Sequence, residues 1–200
     1  MSELIVNKIS CQRGYNNLFS ELSFSLTSGD ILKISGANGS GKTSLLKILA
    51  GLSSAECGSV SYNQNKAGSS KYQQDIFYLG HLPALSPELR CQENLSFLSQ
   101  LQGDDVTDKV KDALIDMGLK GYENEYAANL SAGQKRRVVL ASLLINQAPI
   151  WLLDEPFTAL DSDGVVILEE QINKHSNGGG LCVLTTHQEC NLPNMQILSL

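Results

Sequence analysis

Gly36-Ala37-Asn38-Gly39-Ser40-Gly41-Lys42-Thr43 decides how the rest of this 200-residue chain is read. Glycines at both ends let the backbone curl until successive N–H groups point inward, a shape that holds an anion. A helix starting at about Gly41 adds the positive end of its dipole. Lys42 then reaches the β/γ-phosphates of a nucleoside triphosphate, the Thr43 hydroxyl is a ligand for Mg²⁺, and Ser44 continues the same turn. The flanks supply the context this chemistry needs. Ile31-Leu32-Lys33-Ile34 is a β-rich apolar run, and Leu45, Ile48, Leu49 and Leu52 recur at helical spacing, with Gly51 placed to end the helix. A plain glycine-rich turn would not lie between a buried strand and an amphipathic helix.

Working outward, Leu4-Ile5-Val6 and Ser23-Phe24-Ser25-Leu26 read as edge-like strands, and residues from about Glu56 to Lys71 as a polar hairpin and loop. Ile76-Phe77-Tyr78-Leu79 is a further buried strand. From about Pro83 to Asn129 the pattern changes to helical, with one helix around Asn94–Leu101, another from Val110 to Met117 ending near Gly118, and loops carrying Asp104-Asp105. Val139, Leu140, Leu143 and Leu144 form a core-facing helical stripe. Ile150 to Leu153 is apolar on both faces, as a central parallel strand requires. A helix marked by Val165, Leu168 and Ile172 then leads through Asn177-Gly178-Gly179-Gly180 to a strand over Leu181–Thr186. Strands alternating with helices predict an α/β fold with a mostly parallel sheet, in a single domain.

Composition narrows the function classes. A formal charge of −6 argues against nucleic acid as a partner, since such proteins carry a basic face; the one basic cluster, Lys135-Arg136-Arg137, reads as a solvated first turn of a helix. Five cysteines, Cys11, Cys57, Cys91, Cys182 and Cys190, are odd in number and lack CxxC pairing, so reduced thiols are expected instead of a disulfide scaffold or zinc site. The start Met1-Ser2-Glu3-Leu4-Ile5-Val6 has neither the basic nor the long apolar region of a signal peptide. No apolar run approaches the roughly 20 residues that span a bilayer, so any work at a membrane goes through a partner.

Three further stretches carry chemistry. Asp154 and Glu155 close the strand Ile150–Leu153 at its carboxyl end, where open α/β sheets hold ligands. Asp154 suits Mg²⁺ through a water, and Glu155 suits polarising a water that attacks a γ-phosphate. Leu130-Ser131-Ala132-Gly133-Gln134 opens a helix with an N-cap serine and a glycine that admits close backbone approach. One copy already has a phosphate cradle, so this second anion-binding helix start suits the ATP held by another copy. His187 ends the strand after Thr185-Thr186, parallel to that of Asp154, and is suited to the γ-phosphate.

With these stretches and Ala159-Leu160-Asp161 taken together, the chain resembles the nucleotide-binding subunits of ABC transporters over essentially its whole length. The resemblance implies a P-loop NTPase fold: a RecA-like core, an antiparallel β edge and a helical ABC subdomain at about residues 83–131. It implies a homodimer that sandwiches two ATPs. Each site would combine Lys42, Thr43, Asp154, Glu155 and His187 of one copy with Ser131 and Gly133 of the other, Gln134 alongside. Ala132 stands where the family more often has Gly. His81, within Tyr78-Leu79-Gly80-His81, stands where it usually has a Gln that reaches Mg²⁺-bound water. The adenine-stacking aromatic falls near Arg13, so Arg13 or Tyr15 takes that role.

The short length, Tyr78–His81, Glu155-Pro156-Phe157-Thr158 and Thr185-Thr186-His187-Gln188 are similar to the ATP-binding subunits of the cytochrome c maturation (haem exporter) system. That family implies integral membrane subunits of the maturation complex as partners at the cytoplasmic face of the bacterial inner membrane. It also implies that ATP hydrolysis releases a haem-loaded chaperone, with membrane contact beside His81, along Pro83–Leu89 and the first insertion helix. The competing readings are an ABC ATPase of another transporter, one serving nucleic acid or ribosomes, one serving a soluble assembly complex, and a binding module without hydrolysis. Long coiled-coil inserts and a second ATPase domain, which the ribosomal class usually carries, are missing from the sequence.

Overall fold

The computed structural model describes residues 2–81, 85–101 and 109–200, without the side chains of Gln100 and Leu101. The loop with Asp104 and Asp105, and Pro83 of the expected membrane contact, lie outside the described residues. The chain packs as two compact units. The first comprises Met1–Gly80, Ala148–Pro156 and Ile172–Leu200; the second comprises His81–Gln147 and Phe157–Gln171.

The first unit holds two sheets. In the antiparallel one the strands run in the order β2 (Asn16–Thr27), β1 (Glu3–Arg13), β4 (Cys57–Tyr62), β5 (Asn65–Lys66). Leu4 and Val6 alternate with exposed Ile5, so β1 has one wet face, as antiparallel sheets allow. β1 and β2 are far longer than the apolar runs that mark them, because polar residues fill their outer face. Register shifts along them leave Lys8 and Glu21 at positive φ, as bulges do. A two-residue turn joins β4 to β5 with Asn63 (φ 47°) and Gln64 (φ 69°) both left-handed. This is the type I′ pattern, which matches strand twist.

The second sheet is parallel throughout, in the order β6 (Ile76–Leu79), β7 (Ile150–Asp154), β8 (Leu181–Thr185), β3 (Ile31–Ser35), β9 (Gln196–Ser199). Every residue of β7 and β8 is buried, which explains their apolar sequence up to the closing Asp154 and Thr185. α1 (Lys42–Leu49) buries Leu45, Leu46, Ile48 and Leu49 in a core shared with Leu4, Val6 and Val60 of one sheet and Ile34, Leu152 and Val183 of the other. Gly51, at φ 68°, turns the chain away, so Leu52 leaves the helical stripe and stands 59 % exposed. A left-handed glycine is a common way to end a helix. Short α2 (Ser70–Gln74) is capped by Ser69, whose hydroxyl accepts the Tyr72 N–H at 3.3 Å. It exists to bury Tyr72, whose hydroxyl donates to the Leu49 carbonyl.

The second unit is helical: α3 (Cys91–Leu101), α4 (Val110–Asp116), a 3₁₀ turn at Ala127–Asn129, α5 (Ala132–Ile145) and the first ten residues of α6 (Ser162–Asn177). α3, α4 and α5 pack on one another, and Leu95, Leu114, Leu140 and Leu143 are buried on them. Buried Asn94 pins the chain before α3: its Oδ1 accepts the Ser86 N–H at 2.8 Å and its Nδ2 donates to the Ser86 carbonyl at 3.0 Å.

Candidate active site

Sheet register assembles the site. Asp154 at the end of β7 is paired with Thr185 at the end of β8, and Thr185 with Ile34 of β3, two residues before Gly36. The carboxyl ends of three adjacent strands thus carry the loop, the acidic pair and the threonine to one edge, the place where open α/β sheets hold ligands.

The loop is built as its sequence predicts. Gly41 is the N-cap of α1 at φ 106°, and a Cβ there would lie 3.0 Å from Leu18. A Cβ on Gly36 would lie 2.5 Å from Ser40 Oγ. Neither position has room for a side chain, and Gly41 adopts a conformation L-residues avoid. Gly39 sits at φ 84°, and the Ser40 N–H closes the turn on the Ala37 carbonyl at 3.2 Å. Asn38 is exposed beside it, while Ser44 is buried in the first turn of α1. Lys42 is 9 % exposed, and its Nζ donates to the carbonyls of Gly36 (2.8 Å) and Ala37 (3.0 Å). Its charge is therefore held over the loop. Ser40 Oγ is buried with no hydrogen-bond partner among the described residues, an orphaned group of the kind a phosphate oxygen would satisfy.

Asp154, 2 % exposed, is the hub. Its Oδ1 accepts the Thr43 hydroxyl at 3.2 Å and the Thr185 hydroxyl at 2.9 Å, and Thr185 Oγ1 accepts the Glu155 N–H at 2.9 Å. A buried carboxylate needs such partners, and charge-assisted bonds are the strong kind. Its charge also acts on a neighbour: burial first, then Asp154, push the Tyr78 phenol up to about 12. Glu155 follows the strand at φ 48°. That left-handed turn is uncommon for a glutamate. Its Oε1 lies 3.7 Å from His187 Nε2, with the histidine ring 55 % exposed and the glutamate side chain 18 % exposed. The first unit thus brings together Gly36–Ser44, Asp154, Glu155 and His187. Arg13 and Tyr15 are exposed beside Gly14 where β1 turns into β2, Tyr15 fully so.

Ser131, Gly133, Gln134 and His81 belong to the second unit. Ser131 caps α5 through a capping box, in which the serine and the residue three positions on satisfy each other's amides. The Ser131 hydroxyl accepts the Gln134 N–H at 3.2 Å, and Gln134 Oε1 accepts the Ser131 N–H at 2.9 Å. The first-turn amides of Ala132 and Gly133 have no partner within the helix. Gly133 is required, since a Cβ there would lie 2.8 Å from the Ala159 carbonyl oxygen. His81 is exposed, and its carbonyl accepts Arg136 Nη1 at 3.3 Å.

The profile of the ABC transporter family matches residues 19–158, from β2 through the acidic pair. The chain belongs to the ABC transporter family. Within that family it is 43 % identical over 206 residues to the cytochrome c biogenesis ATP-binding export protein CcmA of Mannheimia succiniciproducens, covering 100 % of this chain and 94 % of that one. Its identity to the CcmA of Haemophilus influenzae is 44 % over 201 residues, covering 99 % and 95 %. The P-loop NTPase fold of ABC ATPases, with its antiparallel and parallel sheets, recurs in a solved ATP-binding cassette described as a dimer in a post-hydrolysis state bound to ADP and phosphate. That fold matches at a TM-score of 0.80 and 24 % identity over 92 % of this chain and 88 % of that one.

Two features escape the sequence reading. Thr185 carries no role in the motifs, and only the strand register reveals that it joins Asp154 to Glu155. The triplet Lys135-Arg136-Arg137 is no solvated turn: Arg136 is 3 % exposed and the Arg137 side chain 12 % exposed, each satisfied by a carbonyl or carboxylate. Three successive helical residues face three directions, and two of these face inward.

Proposed function

We propose that this ABC ATPase is the ATP-hydrolysing subunit of a membrane-bound export complex serving cytochrome c biogenesis, and that it works as a pair of copies around two ATPs. The observation that carries the reading is the hydrogen-bond chain Thr43–Asp154–Thr185–Glu155, which ties a phosphate-cradling loop to a water-activating glutamate. Gly36–Ser44 bind the triphosphate through loop amides, the dipole of α1 and the Lys42 ammonium. Glu155 orients and polarises the attacking water, and His187, within reach of the same carboxylate, contacts the γ-phosphate. Ser131, Gly133 and Gln134 of the second copy close over that phosphate with the free amides of the α5 terminus. Arg13 or Tyr15 stacks on adenine.

A buried carboxylate beside a hydroxyl is the hard-oxygen donor set that suits Mg²⁺. Thr43 and Asp154 would hold the ion, which would neutralise charge on the β/γ-oxygens. Among the described residues no three-member cluster of His, Cys, Asp or Glu offers a richer metal cage, and Mg²⁺ needs none.

The whole chain acts as one ABC ATPase domain, with residues of about 83–131 as its helical insertion. No helix among the described residues is long and apolar enough to cross a membrane. In this reading integral membrane subunits attach the chain to the cytoplasmic face of the inner membrane, and the energy of hydrolysis releases a haem-loaded chaperone. The test is to purify the chain from native membranes in mild detergent and record the visible spectrum. Multi-span subunits with a Soret band that shifts on adding ATP support the reading. Membrane partners without haem discard the cytochrome c assignment, and no membrane partner at all discards the exporter.

A further inference from the structure

The second unit contains a charged pair in which the Arg137 side chain is 12 % exposed and the Asp161 side chain 68 % exposed. Arg137 projects from the second turn of α5, and its Nη2 donates to Asp161 Oδ1. The same oxygen accepts the Gly164 N–H at 3.0 Å, and the Asp161 carbonyl accepts the Val165 N–H at 3.0 Å. Asp161 is thus the N-cap of α6. A Cβ on Gly118 would lie 2.5 Å from Arg137 Nη1, and one on Gly164 would lie 3.1 Å from Nε and 3.2 Å from Nη2. The guanidinium therefore lies close against two glycines. Arg137, and after it the Gly164 amide, hold the Asp161 carboxyl below the usual carboxylate range, so the pair stays ionised.

At the other end of the same short segment, Ala159 adopts φ 66° and presses its carbonyl against Gly133. Residues 159–161 are therefore fastened to α5 twice, by contact at Gly133 and by the ion pair at Arg137. Ser131, Gly133, Gln134, Arg137, Ala159 and Asp161 line one cavity of about 560 Å³. The ion pair lies at its wall, where it sets the spacing between the α5 terminus and the 159–161 loop.

We propose that Arg137 is a positioning residue for hydrolysis: it locks the Ala159–Asp161 loop to the α5 terminus, so that both meet the other copy's nucleotide as one preformed surface. This rests on the two-copy reading. The role assigned to Arg137 runs through its bond to Asp161. Lysine is no substitute, because a point charge on a flexible stem cannot reproduce the fork.

The test is a double-mutant cycle of Arg137→Ala and Asp161→Asn, with Arg137→Lys alongside, reading kcat and KM for ATP together with thermal midpoints. Misplacing groups by an ångström costs up to about 100-fold in rate, so each single variant is expected to lower kcat about 10- to 100-fold with KM little changed. The double variant is expected to be no slower than the slower single one, because both remove one linkage. Arg137→Lys is expected to stay near Arg137→Ala in kcat while melting like the wild type. Wild-type kcat in Arg137→Lys, or losses that multiply in the double variant, would overturn the proposal. Should Arg137→Ala fail to fold, Arg137→Lys and Asp161→Asn decide alone, since both keep the side-chain volume. If instead wild-type protein neither hydrolyses ATP nor pairs with it, the two-copy reading itself fails; if it does both and the cycle is multiplicative, only the role of Arg137 is lost.

Discussion

The Thr43 hydroxyl donates to Asp154 Oδ1 at 3.2 Å, tying the first turn of α1 to the last residue of β7 across 111 residues of sequence. That bond fixes the loop against the acidic strand end, and it places the two oxygen donors suited to Mg²⁺ side by side. Asp154→Asn removes the charge and keeps the shape. Phosphate release is expected to fall about 100- to 1000-fold, the scale seen when one preorganised electrostatic group is lost. ATP binding measured with EDTA present should stay within about threefold of wild type, since the loop amides and Lys42 supply it. Equal activity in EDTA and in Mg²⁺ would remove the ion from the mechanism.

Lys42 is held over the loop by two carbonyls, ready for an anion. Replacing it with alanine forfeits a charge-assisted contact worth about 1.5–3 kcal/mol, or roughly 10- to 100-fold in ATP affinity. Titration calorimetry reads this directly, and wild-type affinity in Lys42→Ala would detach the lysine from the phosphates.

A pH effect on stability follows from His175. Its ring stacks on Trp151 at 3.8 Å and 7°, and burial holds its pKa below the ordinary value. The folded state therefore keeps the ring neutral, while the unfolded chain takes up a proton at about 6.5. This contribution is complete above about pH 6.5 and is lost as pH falls toward the lowered folded value, at up to about 1.4 kcal/mol per pH unit. His175→Phe should flatten the profile of urea midpoints between about pH 5 and 7; an unchanged slope would show that other groups set it.

Ser131 tests the helix start. Removing its hydroxyl costs the capping box, about 1 kcal/mol of stability. If the same hydroxyl also meets the other copy's phosphate, Ser131→Ala should lower kcat more than that stability loss explains. Turnover equal to wild type with a lowered melting point would confine Ser131 to capping.

The parts of this fold legible in sequence are those whose signal is local. The run Ile31–Ile34, the glycines from Gly36 to Gly41 and the stripe Leu45, Ile48, Leu49 each encode their own conformation. β7 and β8 announce themselves because strands buried on both faces read as near-continuous apolar runs, here broken only at the closing Asp154 and Thr185. β9 and α2 are not legible: Gln196-Ile197-Leu198-Ser199 is an edge strand with Ile197 65 % exposed, and α2 is polar apart from Tyr72. At the site, residues inside motifs are legible by type and spacing. Thr185 acts through sheet register and Arg137 through packing between glycines, and neither relationship exists along the chain.

Whether two copies share each ATP is decided by ATP-dependent pairing of Glu155→Gln, which keeps the nucleotide site while removing the carboxylate that polarises water. Sedimentation velocity should find this variant monomeric without nucleotide and dimeric with saturating ATP and Mg²⁺, with two ATPs retained per dimer. A monomer that binds ATP tightly would contradict the shared site, and with it the reach of Ser131, Gly133 and Gln134 to the other copy's phosphate.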